Sequence, residues 1–229
     1  MLIGILQTGD APDVLRPTAG DYPDMFERLL AGRGFTFRTW RVLDMDFPAA
    51  PRDAEGWIIT GSRFGVYEDH AFIPPLEAFI RQVRDAHVPM VGVCFGHQII
   101  AQALGGRVEK YAGGWSVGPQ DYDFGDGTVR LNAWHQDQVV DRPEGARVIA
   151  RSAFCENAAL AYGDSVLTVQ AHPEFDAAVV QGLLDHRGDA LPAPLRSEAA
   201  RRVALDGATD RGLLADRIEA FFKMQRAHA

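Results

Sequence analysis

The chain has 229 residues, 47% of them hydrophobic and 24% charged, with a formal net charge of −8 at pH 7. Such a length can bury a core without staples and suits one α/β domain spanning 1–229. The acidic balance argues against nonspecific binding to nucleic acid or to an anionic membrane, and no window nears the ~18 apolar residues of a membrane span. Two cysteines, Cys94 and Cys155, do not make a disulfide framework, so a reducing cytoplasm is the expected location.

The first predicted element is a strand at 2–7, LIGILQ, read as a strand rather than a leader because no basic segment or cleavage site accompanies it. A helix is expected over 21–34, where Met25, Phe26, Leu29 and Leu30 recur at helical spacing before glycines. Residues 35–42 alternate like a half-buried strand, and GWIITG at 56–61 is a continuous apolar run suited to burial on both faces. A helix with prolines at its start follows at 74–87, then a buried strand at 89–94 and a helix at 96–106. This alternation predicts a mostly parallel sheet with helices on both faces, whose sites lie at the carboxyl ends of the strands.

The pattern changes after Gly106. Segments within 107–124, 128–134, 147–153 and 159–163 read as short strands in a small antiparallel addition, and 165–172 returns to a buried strand. Helical spacing occupies roughly 176–187, 195–206 and 210–225, with a proline-broken loop at 187–196, so the chain is expected to end in a helical extension from about 190 to 229. Arg196, Arg201 and Arg202 stand among acids there, which suggests a solvated helix face.

Residues 92–96, GVCFG, fit a strand-to-helix elbow around Cys94. A nucleophile on such a turn takes a strained backbone, and its neighbours must be small to let the chain pass. The sulfur then stands at the sheet rim near a helix N-terminus, and the Phe95 N–H faces an oxyanion forming on the attacked carbon. A buried structural thiol is the alternative reading of the same five residues. A thiol nucleophile needs a base, and QAHPEF at 170–175 supplies His172 and Glu174 just past another buried strand. In an extended segment that spacing puts both side chains on one side, with Pro173 resisting helix formation. Glu174 can then fix the imidazole tautomer, although a strand-end histidine satisfied by a nearby acid has the same residues.

GVCFGHQ followed by VQAHPEF about seventy-five residues later is similar to the class I, triad-type glutamine amidotransferases, and the resemblance covers nearly the whole chain. It implies a flavodoxin-like sheet and cleavage of a γ-carboxamide through a thioester, with no cofactor. By position, Cys94 matches the nucleophile, His172 the general base and acid, and Glu174 the orienting carboxylate. The second oxyanion donor falls in TGSRFGVYED at 60–69, at Gly61 and Ser62, with the Ser62 N–H as the donor. Here Ser62 and Arg63 replace the glycine and proline of that loop; a backbone donor survives such changes, but the pocket shape need not. Gln98 matches a substrate contact, and NAWHQDQVV at 132–140 matches the loop that holds the amino-acid end of glutamine, making Trp134, His135, Gln136 and Asp137 candidates. His135 with His97 or His172 lacks a spacing typical of zinc, so no metal is expected. Cys155 reads as structural and unpaired.

No G-x-x-x-x-G-K-[ST] loop is present, so an ATP-dependent, ammonia-accepting synthetase is expected, if used, as a separate partner. The resemblance is closest to the glutaminase domain of GMP synthase and to stand-alone proteins that include γ-glutamyl peptidases. Three readings stay open: a glutaminase or amidotransferase, a γ-glutamyl peptidase acting on γ-glutamyl amides or glutathione-type conjugates, and a regulatory or binding protein without turnover.

Overall fold

The computed structural model describes residues 1–226, so the last three residues of the expected C-terminal extension lie outside the described residues. The elements in chain order are β1 (Leu2–Leu6), α1 (Arg16–Ala19), α2 (Tyr22–Leu29), β2 (Thr36–Trp40), β3 (Gly56–Ile59), α3 (Ile73–Asp85), β4 (Met90–Val93) and α4 (Phe95–Ala103). The second half contributes β5 (Arg107–Lys110), β6 (Ser116–Asp123), β7 (Thr128–His135), β8 (Asp137–Asp141), β9 (Ala146–Ala150), β10 (Ala159–Tyr162), β11 (Val166–Val169), α5 (Ala177–Arg187), α6 (Ala193–Asp206) and α7 (Arg211–Arg226).

A seven-stranded sheet runs in the order β2-β1-β3-β4-β11-β10-β9. The strands from β2 to β11 pair in parallel, and β10 and β9 continue the sheet antiparallel. Side chains alternate between the two faces. Leu6, Trp57, Ile59 and Met90 pack under α3 and α4, whereas Ile3, Ile5, Ile58 and Val91 pack under α2 and α7. Burial on both faces is why β3 and β4 read as unbroken apolar runs.

The antiparallel addition is therefore split. Part of it extends the main sheet, and the rest forms two ladders, β5 with β8 and β6 with β7. The segment expected as a loop at 132–140 is two strands, β7 and β8, separated only by Gln136. Its alternation is hidden because polar Asn132, His135 and Gln138 are all buried there. Arg202 also departs from expectation. It is not part of a solvated face but donates to the carbonyls of Pro119 and Val117 at 3.2 and 3.4 Å, anchoring α6 on β6. Arg196 and Arg201 do pair with acids on the exposed side, with Asp189 and Glu198. No helix among the described residues is long and apolar enough to cross a membrane.

The elbow depends on two glycines. A Cβ on Gly96 would overlap the Ile59 carbonyl, and one on Gly92 would stand 2.5 Å from the Gly96 carbonyl oxygen. Backbone cannot yield as a flexible side chain can, so Gly96→Ala should cost about 2 kcal/mol or more in stability. Gly212, in the first turn of α7 with open space around it, is the control: Gly212→Ala should raise stability by up to ~1 kcal/mol. Urea unfolding of the two variants checks this, and a Gly96→Ala chain as stable as the wild type would refute the packing account.

Candidate active site

Four strands deliver backbone to one rim of the sheet. β4 ends at Val93, and Cys94 follows with φ 53° and ψ −103°, a conformation that a non-glycine residue adopts only when its surroundings hold it. Its N–H donates to the Val169 carbonyl at 2.9 Å, which ties the elbow to the end of β11. Cys94 caps α4, so the positive end of that helix faces the sulfur. The Cys94 side of the rim is more enclosed than expected: the residue is only 6% exposed, at the floor of a cavity of about 260 Å³ rather than on an open edge. The Phe95 ring turns into the core, 6.1 Å from that of Phe72, and leaves its backbone N–H at the first position of α4, where a helix supplies no acceptor.

The end of β3 carries the loop with Gly61 and Ser62. Thr8 donates to the Thr60 and Gly61 carbonyls at 3.0 and 3.2 Å, and Thr60 donates to the Gly61 carbonyl at 3.0 Å. These buried hydroxyls fix the loop from below. A Cβ on Gly61 would stand 3.0 Å from the His172 ring and 3.8 Å from the Cys94 Cβ, so this backbone lies against both side chains. No hydrogen bond among the described residues uses the Ser62 N–H. The Ser62 hydroxyl instead accepts from the Phe64 N–H at 3.3 Å.

His172 and Glu174 share a face, but not by strand alternation. The chain turns at 172–175, with the Phe175 N–H reaching back to the His172 carbonyl at 3.4 Å, and Glu174 lies within that turn. Pro173 at its second position favours the turn. The Glu174 carboxylate meets His172 Nδ1 at 2.7 Å, and both residues are buried. The Phe175 ring stacks on the imidazole at 4.0 Å and 3°. Burial pushes against an imidazolium here, but the charges of Glu174 and Cys94 and hydrogen bonds to both outweigh it and hold the His172 pKa above its ordinary value.

Asn132 clamps this turn. Its carbonyl accepts from the His172 N–H at 2.8 Å, and its side-chain amide donates to the Phe175 carbonyl at 3.0 Å. Its presence in NAWHQDQVV marked the segment but not the clamp, which needs β7 to lie beside residue 172. Tyr22, at the start of α2, is a second residue that the sequence did not signal: it lines the cavity, and burial pushes its phenol up.

The predicted substrate contacts converge. Gln98, Trp134, His135, Gln136 and Asp137 all line the cavity with Cys94 and His172. Gln98 also works inward, donating to the Asp137 carbonyl at 2.9 Å and to Gln170 Oε1 at 3.0 Å, so it supports the β7–β8 turn. The Asp137 carboxylate accepts from the Tyr67 hydroxyl at 3.0 Å, and burial raises its pKa. His135 Nδ1 lies 3.2 Å from the Asp137 carbonyl, and burial lowers the ring's pKa to about 4. His97 faces Thr168 Oγ1 at 2.8 Å beneath the cavity, and burial, with help from His135, lowers it to about 3. No group of three His, Cys, Asp or Glu side chains among the described residues could hold a metal. Cys155 is buried and free, its thiol pushed up to about 12 by burial.

Comparisons with known proteins point to one family. Residues 33–181 match the family model for Glutamine amidotransferase class-I. The chain is 31% identical over 197 residues to gamma-glutamyl peptidase 4 of Arabidopsis thaliana, covering 79% of this chain and 78% of the relative. It is 34% identical over 126 residues to a glutamine-hydrolyzing GMP synthase component of Saccharolobus solfataricus, covering 51% of this chain and 65% of the relative. A glutamine amido transferase from Methylobacillus flagellatus has the same fold, with TM-score 0.76, 24% identity and coverage of 97% and 94% of the two chains.

Asn132→Ala should lower turnover through a displaced turn and cost about 1–3 kcal/mol of stability, because it strands the Phe175 carbonyl. Steady-state kinetics and urea unfolding check both effects, and unchanged turnover would refute the clamp. A pH dependence follows from the histidines. The unfolded chain protonates His97 and His135 near pH 6.5. The folded chain does not do so until about 3 and about 4 respectively. Stability should therefore fall as pH drops below about 6.5, by up to ~1.4 kcal/mol per pH unit for each histidine. His172 acts oppositely: its stabilisation is complete below the unfolded value and is lost as pH rises through the raised one. Urea unfolding at pH 7, 6 and 5 should show the loss, with a shallower slope in His97→Gln. Stability that rises between pH 7 and pH 5 would contradict the assignment.

Proposed function

Because the chain belongs to the class-I glutamine amidotransferase family, we propose that it is an amidohydrolase in which Cys94 attacks the γ-carbonyl of a γ-glutamyl amide. The observation that carries this reading is a cysteine held at a strained helix-capping position in one cavity with a buried histidine–carboxylate pair. In the first step a C–S bond forms and the oxyanion accepts from the Phe95 and Ser62 N–H groups, with Gly61 shaping the loop. The His172 imidazolium then gives its proton to the nitrogen as the C–N bond breaks, releasing the amine and leaving a thioester. In the second step His172 takes a proton from water, the new C–O bond forms, and the C–S bond breaks to return the sulfur. Glu174 holds the imidazole by Nδ1, leaving Nε2 for these transfers.

The γ-glutamyl head suits the cavity end built from Asp137, Glu68 and Lys110. Acids there can take the α-ammonium, and Lys110 can take the α-carboxylate. For the leaving amine, the relatives support two readings. The gamma-glutamyl peptidase relative matches 79% of this chain, which favours a substituted amine. The GMP synthase relative matches 51%, and it supports glutamine as substrate, with ammonia passing to a separate synthetase. We favour the first, since the C-terminal segment around Arg187 and Leu191 forms a cavity wall, and this segment lies outside residues 33–181 of the family match.

Purified chain, Cys94→Ala and Glu174→Gln would be assayed on L-glutamine and γ-glutamyl dipeptides for ammonia and amino-acid release. Cys94→Ala should lose on the order of 10⁶-fold in kcat, and Glu174→Gln on the order of 10³-fold. A wild type equal to Cys94→Ala on every substrate, and unlabelled by a glutamine-mimicking electrophile, would leave a non-catalytic, regulatory role as the reading.

A further inference from the structure

The cavity has a second, differently charged end. Arg63 follows the Ser62 loop and Arg187 closes α5, and both line the catalytic cavity. They also line a neighbouring groove of about 630 Å³, which neither Asp137 nor Lys110 reaches. The two arginines thus stand where the spaces meet, away from the end proposed to hold the γ-glutamyl head. Of the other charges of that groove, Asp13 pairs with Arg16, and Arg41 is shared between Asp10 and Asp44, so that Asp10 also lies in the field of Arg63, whereas Arg187 has no such neighbour among them. Arg63 and Arg187 make no ion pair among the described residues; Arg63 lies over the Phe64 ring at 4.9 Å. Arg187 is half-buried and is the first charge to act on buried Tyr22, which Glu174 and Cys94 also influence, so its guanidinium belongs to the site's electrostatic field.

Two unpaired guanidinium groups facing a shared opening, in a chain of net charge −8, ask for an anion. Ammonia carries none, and neither does a simple alkylamine. A leaving group with its own carboxylate does. Resting on the γ-glutamyl reading above, we propose that Arg187, assisted by Arg63, binds the carboxylate of the departing amine, so that the preferred substrates are γ-glutamyl amino acids or peptides with a free terminal carboxylate. Arg187 carries more of the recognition, because its partial burial reduces solvent screening, whereas Arg63 is exposed.

The test compares γ-glutamylglycine, γ-glutamylglycinamide and L-glutamine, which share the head and differ at the leaving group. Wild-type kcat/KM should favour γ-glutamylglycine over γ-glutamylglycinamide by about tenfold or more, the weight of one charge-assisted hydrogen bond. In Arg187→Gln that ratio should collapse towards one, chiefly through KM, while Arg187→Lys should restore part of it. Arg63→Gln should reduce the ratio less. Thermal melting of each variant separates misfolding from lost recognition. Calorimetric binding of the two dipeptide analogues to Cys94→Ala reads the same preference without turnover. A wild type and a Cys94→Ala chain that both ignore the terminal carboxylate would overturn the proposal while leaving γ-glutamyl hydrolysis intact. Equal losses on all three substrates in Arg187→Gln would also overturn it, placing the arginine on the common head instead. Absence of turnover and of Cys94 labelling, with the carboxylate preference in binding retained, would sink the hydrolase reading alone.

Discussion

The backbone of Cys94, at φ 53° and ψ −103°, is the constraint around which the site is arranged. It survives because α4 is pressed onto the end of β3 so closely that Gly96 touches the Ile59 carbonyl where a Cβ would sit. The same contact aims the helix N-terminus at the sulfur and leaves the Phe95 N–H without an acceptor in the helix. Strain at one residue is thus held by packing of the whole central sheet, which is buried on both faces.

The histidine side of the site is held by different means. β11 ends parallel to β4, and this alone would bring His172 only to the rim. Its orientation comes from a turn, from a carboxylate at 2.7 Å, from a stacked ring at 4.0 Å and from Asn132 on the neighbouring ladder. Each member is buried, so loss of one leaves the others unpaired in a low dielectric, where the cost is high. Beneath them burial holds the pKa values of His97 and His135 down, whereas the charges of Glu174 and Cys94 hold that of His172 up.

The walls of the cavity come from elements that the central sheet does not dictate. The 60–69 loop brings Ser62 and Arg63, the β7–β8 turn brings His135 to Asp137, and the end of α5 brings Arg187. A scaffold of this kind can keep the elbow and the histidine turn constant while the cavity walls change with loop and C-terminal residues.

The amino-acid sequence by itself determined the parallel half of the fold and marked Cys94, His172 and Glu174 as the candidate reacting groups. Apolar runs at β3 and β4 are local signals of strands buried on both faces, and GVCFG and HPE are short motifs whose residue types state their chemistry. The residues at 98 and 134–137 were marked as substrate candidates only through the family resemblance, and the structure places them in the cavity with Cys94. Tertiary structure decided the rest. Strands β7 and β8, which pair in different ladders, were hidden by buried polar residues whose partners lie far along the chain, such as Phe175 for Asn132. The turn at His172–Phe175 and its Asn132 clamp join residues about forty positions apart, and spacing within one segment cannot report that. Arg202 reads as a surface charge until β6 offers it two carbonyls, and Arg187 reads as a helix end until α5 is placed over the cavity. Periodicity and motifs record what a residue does to its own segment; hydrogen bonds and charge pairing are set by which segments meet.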